Sequence, residues 1–529
     1  MILLNWGVSL KSGILDSRGK LVDSNGVVSI FEGFPNFFYD VNRPELSSVD
    51  RKLADALSEA ITGKIALFSL EQIIGHVPSK FMDAFTRRVI ADINLASGME
   101  KIPSTPELES FAVAMGAVIA EFFPDVKNPG PVAKSAIDNS IGFGSLSDLV
   151  SDPGLEEIMV NGLERPVFVF HRKFGMCKTN IVFDSPKALD SLVLRIARTA
   201  AKPFDESFPL LDARLPDGSR VNATNASVSP EGVSLTIRKF SRANYSVVDL
   251  ILHGTLSSEL AAFLWVMVEG LGVQPMNLIV TGGTGSGKTT TLNCLAAFVP
   301  AYQRIVSIED TLELDLVHRQ NWVQLESRPR SRATDAVSMD ELLQNALRMR
   351  PDRLLVGEVR DEGAQTLFVA MDTGHDGTMG TVHANSAKEL LLRLRSKPMN
   401  VPESMLGLLD LIIVQHRLFL PGKGLVRRIV QVSELSSMEE KPLLSMLFEW
   451  NRKTDLLSRT ETPSHVLQVL SERSSHGLTD IRKEIAVRRQ VLEWMVERRI
   501  VSHDEVSAVV QRYYSDPQGV IAEILKSRD

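Results

Sequence analysis

The apolar positions at 277–281 (NLIVT) run unbroken for the length of a strand and end in a glycine-rich turn. That pattern predicts a strand buried on both faces. Residues 1 to about 130 open with short strand-like runs broken by Gly, Asn and Pro, then turn helical after Pro44. There Val49, Leu53, Leu57 and Ile61 recur every fourth residue behind a capping-type start at 47–50, as on an amphipathic helix. The segment 111–123 (FAVAMGAVIAEFF) contains Glu121 and falls far short of the ~20 apolar residues a membrane-spanning helix needs, so it predicts a buried helix. Proline and glycine in VKNPGPVAKS predict a boundary near 128–131.

From about 132 to 245 short apolar runs alternate with turns: GLEEIMVNG, PVFVFHRKFG, CKTNIVF, RLPDGSRVNAT and VSLTIRKF. This spacing predicts an α+β domain with an antiparallel sheet, Gly218 supplying one tight turn. An apolar helix at 256–271 precedes the buried strand, and LDLIIVQHRL and VRRIVQVSEL predict two further strands toward a sheet edge. Near the end, 502–505 reads as a capping box. The helix before it places Ile485, Leu492, Met495 and Val496 on one face and Arg482, Lys483, Arg488 and Arg489 on a solvated cationic side. The expected domains are 1–130, 131–245, 246–440 and a mainly helical 441–529.

Composition adds limits. The 529 residues are 44% hydrophobic and 23% charged, with a net charge of −7, the balance of a folded chain with no overall pull toward nucleic acid. The two cysteines, Cys177 and Cys294, cannot build a disulfide framework or a four-cysteine zinc site. The start, MILLNWGVSLKSGILDSRG, lacks a cationic region followed by an apolar core, so no signal peptide is expected.

The chemistry is concentrated after residue 280. TGGTGSGKTT at 281–290 satisfies GxxxxGK[ST], with Gly282, Gly283, Thr284, Gly285, Ser286, Gly287, Lys288, Thr289 and Thr290 between a strand and a helix. Glycines let backbone N–H groups turn inward around phosphates, Lys288 neutralises the β- and γ-phosphates, and the Thr289 hydroxyl reaches Mg2+. The run 304–308 ends in Glu309 and Asp310, and 354–357 delivers Glu358 to the same sheet edge, where ligands bind in α/β folds. Singly, such an acid also serves as a helix cap or ion-pair partner. His375 and His383 flank a Gly-rich run, TGHDGTMGTVHANS, with no third ligand at metal spacing. Phosphate sensing or a core hydrogen bond remains for them.

In this order the Walker A loop, the acidic box at 304–313, the Walker B run at 354–358 and the histidine box at 375–383 resemble the secretion and type IV filament ATPases. These are a superfamily of RecA-like hexameric motors, and the resemblance covers roughly 150–435. VNGLERPVFVFHRKFGMCKTNI with RLPDGSRV looks like the PAS-like domain that precedes the motor in that family. The implied fold is α/β: a RecA-like P-loop ATPase domain behind a PAS-like α+β domain, with a mixed N-terminal region and a helical C-terminal tail.

The resemblance further implies ATP and Mg2+ as cofactors. Glu309 would polarise the attacking water, Glu358 with Thr289 support the metal, and His383 sense the γ-phosphate. Arg214, Arg220 or Arg238 would reach bound nucleotide. It implies a homohexamer on the cytoplasmic face of the cell membrane, working on an integral membrane platform protein, with residues 1–130 available for docking. The lack of a four-cysteine insertion points away from the bacterial type II branch, and LRMRPDRLLVGEVRDEGAQTLFVAMDTGHDG looks most like archaeal members that power archaella or pili. Two other readings remain: a nucleic-acid translocase, since a RecA-like core also serves helicases, and a nucleotide-regulated assembly scaffold.

Overall fold

The computed structural model describes residues 20–33, 37–62, 79–91, 93, 102–240, 245–316, 319–328, 336–438 and 441–526. The signal-peptide expectation, drawn from residues 1–19, lies outside them. Two compact units form, Met1–Ser241 and Arg242–Asp529.

In the first unit, nine strands among the described residues form one sheet. They are β1 Lys20–Ser24, β2 Val28–Glu32, β3 Phe37–Val41, β4 Leu155–Asn161, β5 Pro166–His171, β6 Gly175–Val182, β7 Leu210–Arg214, β8 Arg220–Thr224 and β9 Ser234–Arg238. Their order is β1-β2-β3-β6-β5-β4-β9-β8-β7. The pairings are antiparallel except β3 with β6, which run parallel. The early strands therefore extend the sheet built by 155–238. The proline-rich stretch at 128–131 is the first turn of the helix Pro129–Ser140, where a missing N–H does no harm, and it does not separate two bodies. That helix shares a core with Ser48–Ile61 and Thr105–Phe122 through Leu53, Leu57, Ile61, Met115, Val118, Ile119, Val132 and Ile137. Ser47 caps its helix by accepting from Asp50 N–H. The helix over 111–123 is amphipathic and only half buried: Phe111 and Met115 face the core, and Val113 is exposed.

In the second unit the strands are β10 Leu278–Thr281, β11 Ile305–Glu309, β12 Trp322–Glu326, β13 Arg353–Val359, β14 Met379–Val382, β15 Leu411–Leu420, β16 Gly424–Met438, β17 Lys441–Asn451 and β18 Leu456–Arg459. The order is β12-β11-β13-β14-β10-β15-β16-β17-β18. From β12 to β15 all pairs are parallel, and β15 to β18 form an antiparallel meander. Strands buried on both faces, such as LIVT in β10, suit a parallel sheet covered by helices. The meander carries the sheet past residue 440, so helix begins only at His465.

Four helices follow, His465–Ser474, Leu478–Glu497, His503–Ser515 and Pro517–Lys526, and they share the hydrophobic core that covers one side of this sheet. Two expectations need correction here. Ser502 makes no side-chain capping bond. Arg488 is not on a solvated face: it is 3% exposed, bonds Glu269 at 3.0 Å and Glu484 at 2.8 Å, and lies over Trp265, Tyr513 and Tyr514. A planar guanidinium can stack and bond at once, which a helical charge pattern does not reveal. Among the described residues no helix is long and apolar enough to cross a membrane.

Candidate nucleotide site

β10 ends at Thr281, and the P-loop helix Lys288–Ala296 starts seven residues later. Between them Gly285 and Gly287 take φ +69° and +94°, a region closed to most side chains. A Cβ on Gly282 would lie 2.0 Å from the Gln415 carbonyl oxygen, so the loop lies tight against β15. Lys288 is 8% exposed, and its ammonium donates to the carbonyls of Gly282 and Gly283 at 3.1 and 3.3 Å. The Ser286 hydroxyl is buried with no hydrogen-bond partner among the described residues. A glycine cradle, a cation at its mouth, a helix N-terminus and an orphaned hydroxyl fit a phosphate chain. Thr289 and Thr290 lie in the first turn of that helix.

The parallel sheet brings the other motifs to the same edge. The Thr281 hydroxyl donates to Ala384 O at 2.8 Å, so the turn carrying His383 adjoins the P-loop. Glu358, at the end of β13, takes a 2.6 Å ion pair from Arg360. Burial opposes its charge, but the Arg360 bond and the nearby Lys288 and His383 outweigh it and hold the carboxyl below its ordinary range. An ionised carboxylate there is what a metal or its water shell requires.

His375 does not join the site. It precedes β14 at the opposite end of the strand and contacts Ala370 O and the Thr373 hydroxyl. Glu309 lies beside Glu358's strand, where a Cβ on Gly357 would meet its Cγ at 2.8 Å, but it is 1% exposed and turned onto its own loop. One oxygen accepts from Glu313 and Leu314 N–H, the other from Gln324. Burial pushes its pKa up despite these bonds. A water-polarising role would fall to the one acceptor position these bonds leave, on the oxygen that Gln324 also bonds.

Three arginines of the first unit, Arg214, Arg220 and Arg238, form a row. Arg214 pairs with Arg220, and Arg220 with Arg238, across β7, β8 and β9, on the face opposite buried Ala213, Val221 and Ile237. Arg238 also lies 4.0 Å from Glu157.

The pattern of the sequence did not single out Gln415, Arg417 and Arg427. Gln415 is 1% exposed; it accepts from the Thr291 hydroxyl at 2.6 Å and donates to Ser286 O at 2.8 Å. Arg427 donates to Gly285 O at 3.1 Å. A Cβ on Gly285 would meet the Arg417 guanidinium at 2.9 Å. One available signal was polar residues interrupting the otherwise apolar run of β15.

Residues 140–442 match the family model "Type II/IV secretion system protein". The chain belongs to this family. The chain is 35% identical to the Methanocaldococcus jannaschii protein MJ0900 over 381 residues, 71% of this chain and 68% of that one. It is 52% identical over 240 residues to MJ0781 of the same organism, covering 45% of this chain but only 33% of the relative. These archaeal similarities accord with the branch expected from the motifs. VirB11 of Agrobacterium fabrum is 33% identical over 263 residues, 44% of this chain and 73% of the relative. The solved VirB11 ATPase of Brucella suis superposes at a TM-score of 0.28 with 27% identity, over 54% of this chain and 91% of that chain, a fit too low to bear on the placement of residues.

Proposed function

We propose that this secretion-family chain hydrolyses ATP at the loop 282–289 and works as a motor for a secretion or type IV filament machine. The observation that supports this most is the convergence of Lys288, ionised Glu358 and the His383 turn at the carboxyl edge of one parallel sheet. In this reading the loop N–H groups and Lys288 hold the β- and γ-phosphates. Thr289 and Glu358 hold Mg2+, which when bound spreads positive charge over the phosphate oxygens. His383 reports the γ-phosphate, and Glu309 holds the acidic-box loop in shape. One of Arg214, Arg220 and Arg238 answers the charge of the transferring phosphoryl group. We further assign the working form to a homohexamer at the inner face of the cell membrane, driving an integral platform protein of an archaellum or pilus.

The test is ATP turnover of the full chain and of Lys288→Ala, with sedimentation with and without ATP and Mg2+. Turnover lost in a folded variant, with an ATP-dependent hexamer, is the expected result. Turnover at the wild-type rate would place the active site elsewhere. Strong stimulation by single-stranded DNA would favour a translocase, and tight ATP binding without hydrolysis a scaffold.

A further inference from the structure

On β15, Gln415, Arg417 and Phe419 alternate onto one face, each step of two residues advancing about 7 Å. Register sets Arg427 opposite Arg417, and Leu425 opposite Phe419. Chemistry is therefore graded along this face. Gln415 holds the P-loop through Ser286 O and Thr291. One rung out, both guanidiniums lie on Gly285. One rung further, Phe419 is 69% exposed beside half-buried Leu425. A single exposed aromatic is ordinary; here it stands just beyond two cross-strand cations. Two guanidiniums side by side on the P-loop suit an anion shared between them, held by charge-assisted bonds.

We propose that the β15–β16 hairpin binds the nucleoside end of the nucleotide, Arg417 and Arg427 taking the α-phosphate and Phe419 stacking on the base. The order along the strand, from P-loop clasp to cations to aromatic, follows the order of a nucleotide from β-phosphate to base. This rests on the reading of 282–289 as a nucleotide site. It adds a specificity element: the P-loop recognises phosphates alone, whereas the hairpin distinguishes a nucleotide from an inorganic polyphosphate.

The experiment is calorimetric titration of the full chain with ADP and, separately, with inorganic tripolyphosphate, both with Mg2+. Phe419→Ala should weaken ADP about tenfold, the scale of one lost base-aromatic stack, and leave tripolyphosphate within about twofold. Arg417→Gln should weaken both. In Phe419→Trp, ADP should quench emission relative to the wild-type chain and tripolyphosphate should not. Lys288-dependent ADP binding that Phe419→Ala leaves unchanged, with no ADP quenching in Phe419→Trp, overturns the hairpin proposal alone. ADP binding unchanged in Lys288→Ala overturns the nucleotide-site reading itself, and this proposal with it.

Discussion

Glu309 and Glu358 end neighbouring strands and look alike as sequence, an acid closing an apolar run. Their surroundings separate them. Glu358 is held ionised by Arg360, Lys288 and His383, while Glu309 is buried and bonded to its own loop. Glu358→Gln should therefore reduce ATP turnover at least a hundredfold. Glu309→Gln should lower it less than tenfold while lowering the melting temperature, because the amide keeps one acceptor and sets its NH2 against other donors. Equal losses of turnover with unchanged melting would return Glu309 to the chemistry. Asp410, just before β15, carries a different signature. Burial pushes its pKa up to about 7, although it accepts from Asn277 N–H. A raised carboxyl stabilises the native state fully below the ordinary value near 4, and that contribution is lost as pH rises through about 7. Stability measured by urea between pH 4.5 and 7.5 should thus fall by on the order of 2 kcal/mol from this group, discounted from ~1.4 kcal/mol per unit for residual solvation. Asp410→Asn should flatten the slope; an unchanged slope would assign it to other groups.

Between elements, the parallel half of the second sheet was legible because its strands are apolar on both faces and end in chemistry: LIVT before the glycines, IVSIE before Asp310, LLVGE at Glu358. The meander was legible in part. Its strands showed, but their polar residues acquired meaning only from register, which a linear pattern does not contain. Arg428 is the example: beside Arg427 in sequence, it points to the other face and is 5% exposed. Asp455 binds it through both oxygens and also takes bonds from Lys423 and Trp450. These bonds hold the Asp455 carboxyl far below its usual range. Asp455 also sits at φ +52°, which Asn tolerates, so Asp455→Asn isolates the charge. It should destabilise by about 3 kcal/mol, since a buried arginine loses its counter-charge. The loss should appear at pH 7 by denaturant titration. A variant as stable as wild type would mean that solvent already screens Arg428.

At the scale of the whole second unit, the C-terminal helices close the far end of the P-loop helix. The carbonyls at its exit are taken by Arg319 from Ala296 and Ala297, Gln511 from Ala297 and Val299, and Tyr514 from Phe298. Tyr514 also accepts from Trp265 at 2.7 Å, and Arg488 covers both rings while bonding Glu269 and Glu484. A charge pattern at 482–489 could not show this, because the partners lie more than 200 residues away in sequence for Glu269 and Trp265. Arg488 thus tests whether the helices are a separable tail or part of the second unit's core. Arg488→Ala strands Glu269 and opens the aromatic cage, so it should cost about 3–5 kcal/mol. Arg488→Met fills the same space without charge and should recover part of that loss, its remainder being the unanswered Glu269 carboxylate. A solvated surface arginine would move neither variant by more than ~0.5 kcal/mol. In a Trp494→Phe background, which removes the tryptophan that lies within the helices themselves, denaturant midpoints read by tryptophan fluorescence and by helix content should fall together in Arg488→Ala, because Trp265 belongs to the core of the second unit and its cage is completed by the helices. If only helix content fell, with fluorescence unmoved, the helices would be an independent appendage and the exit of the P-loop helix would be held without them.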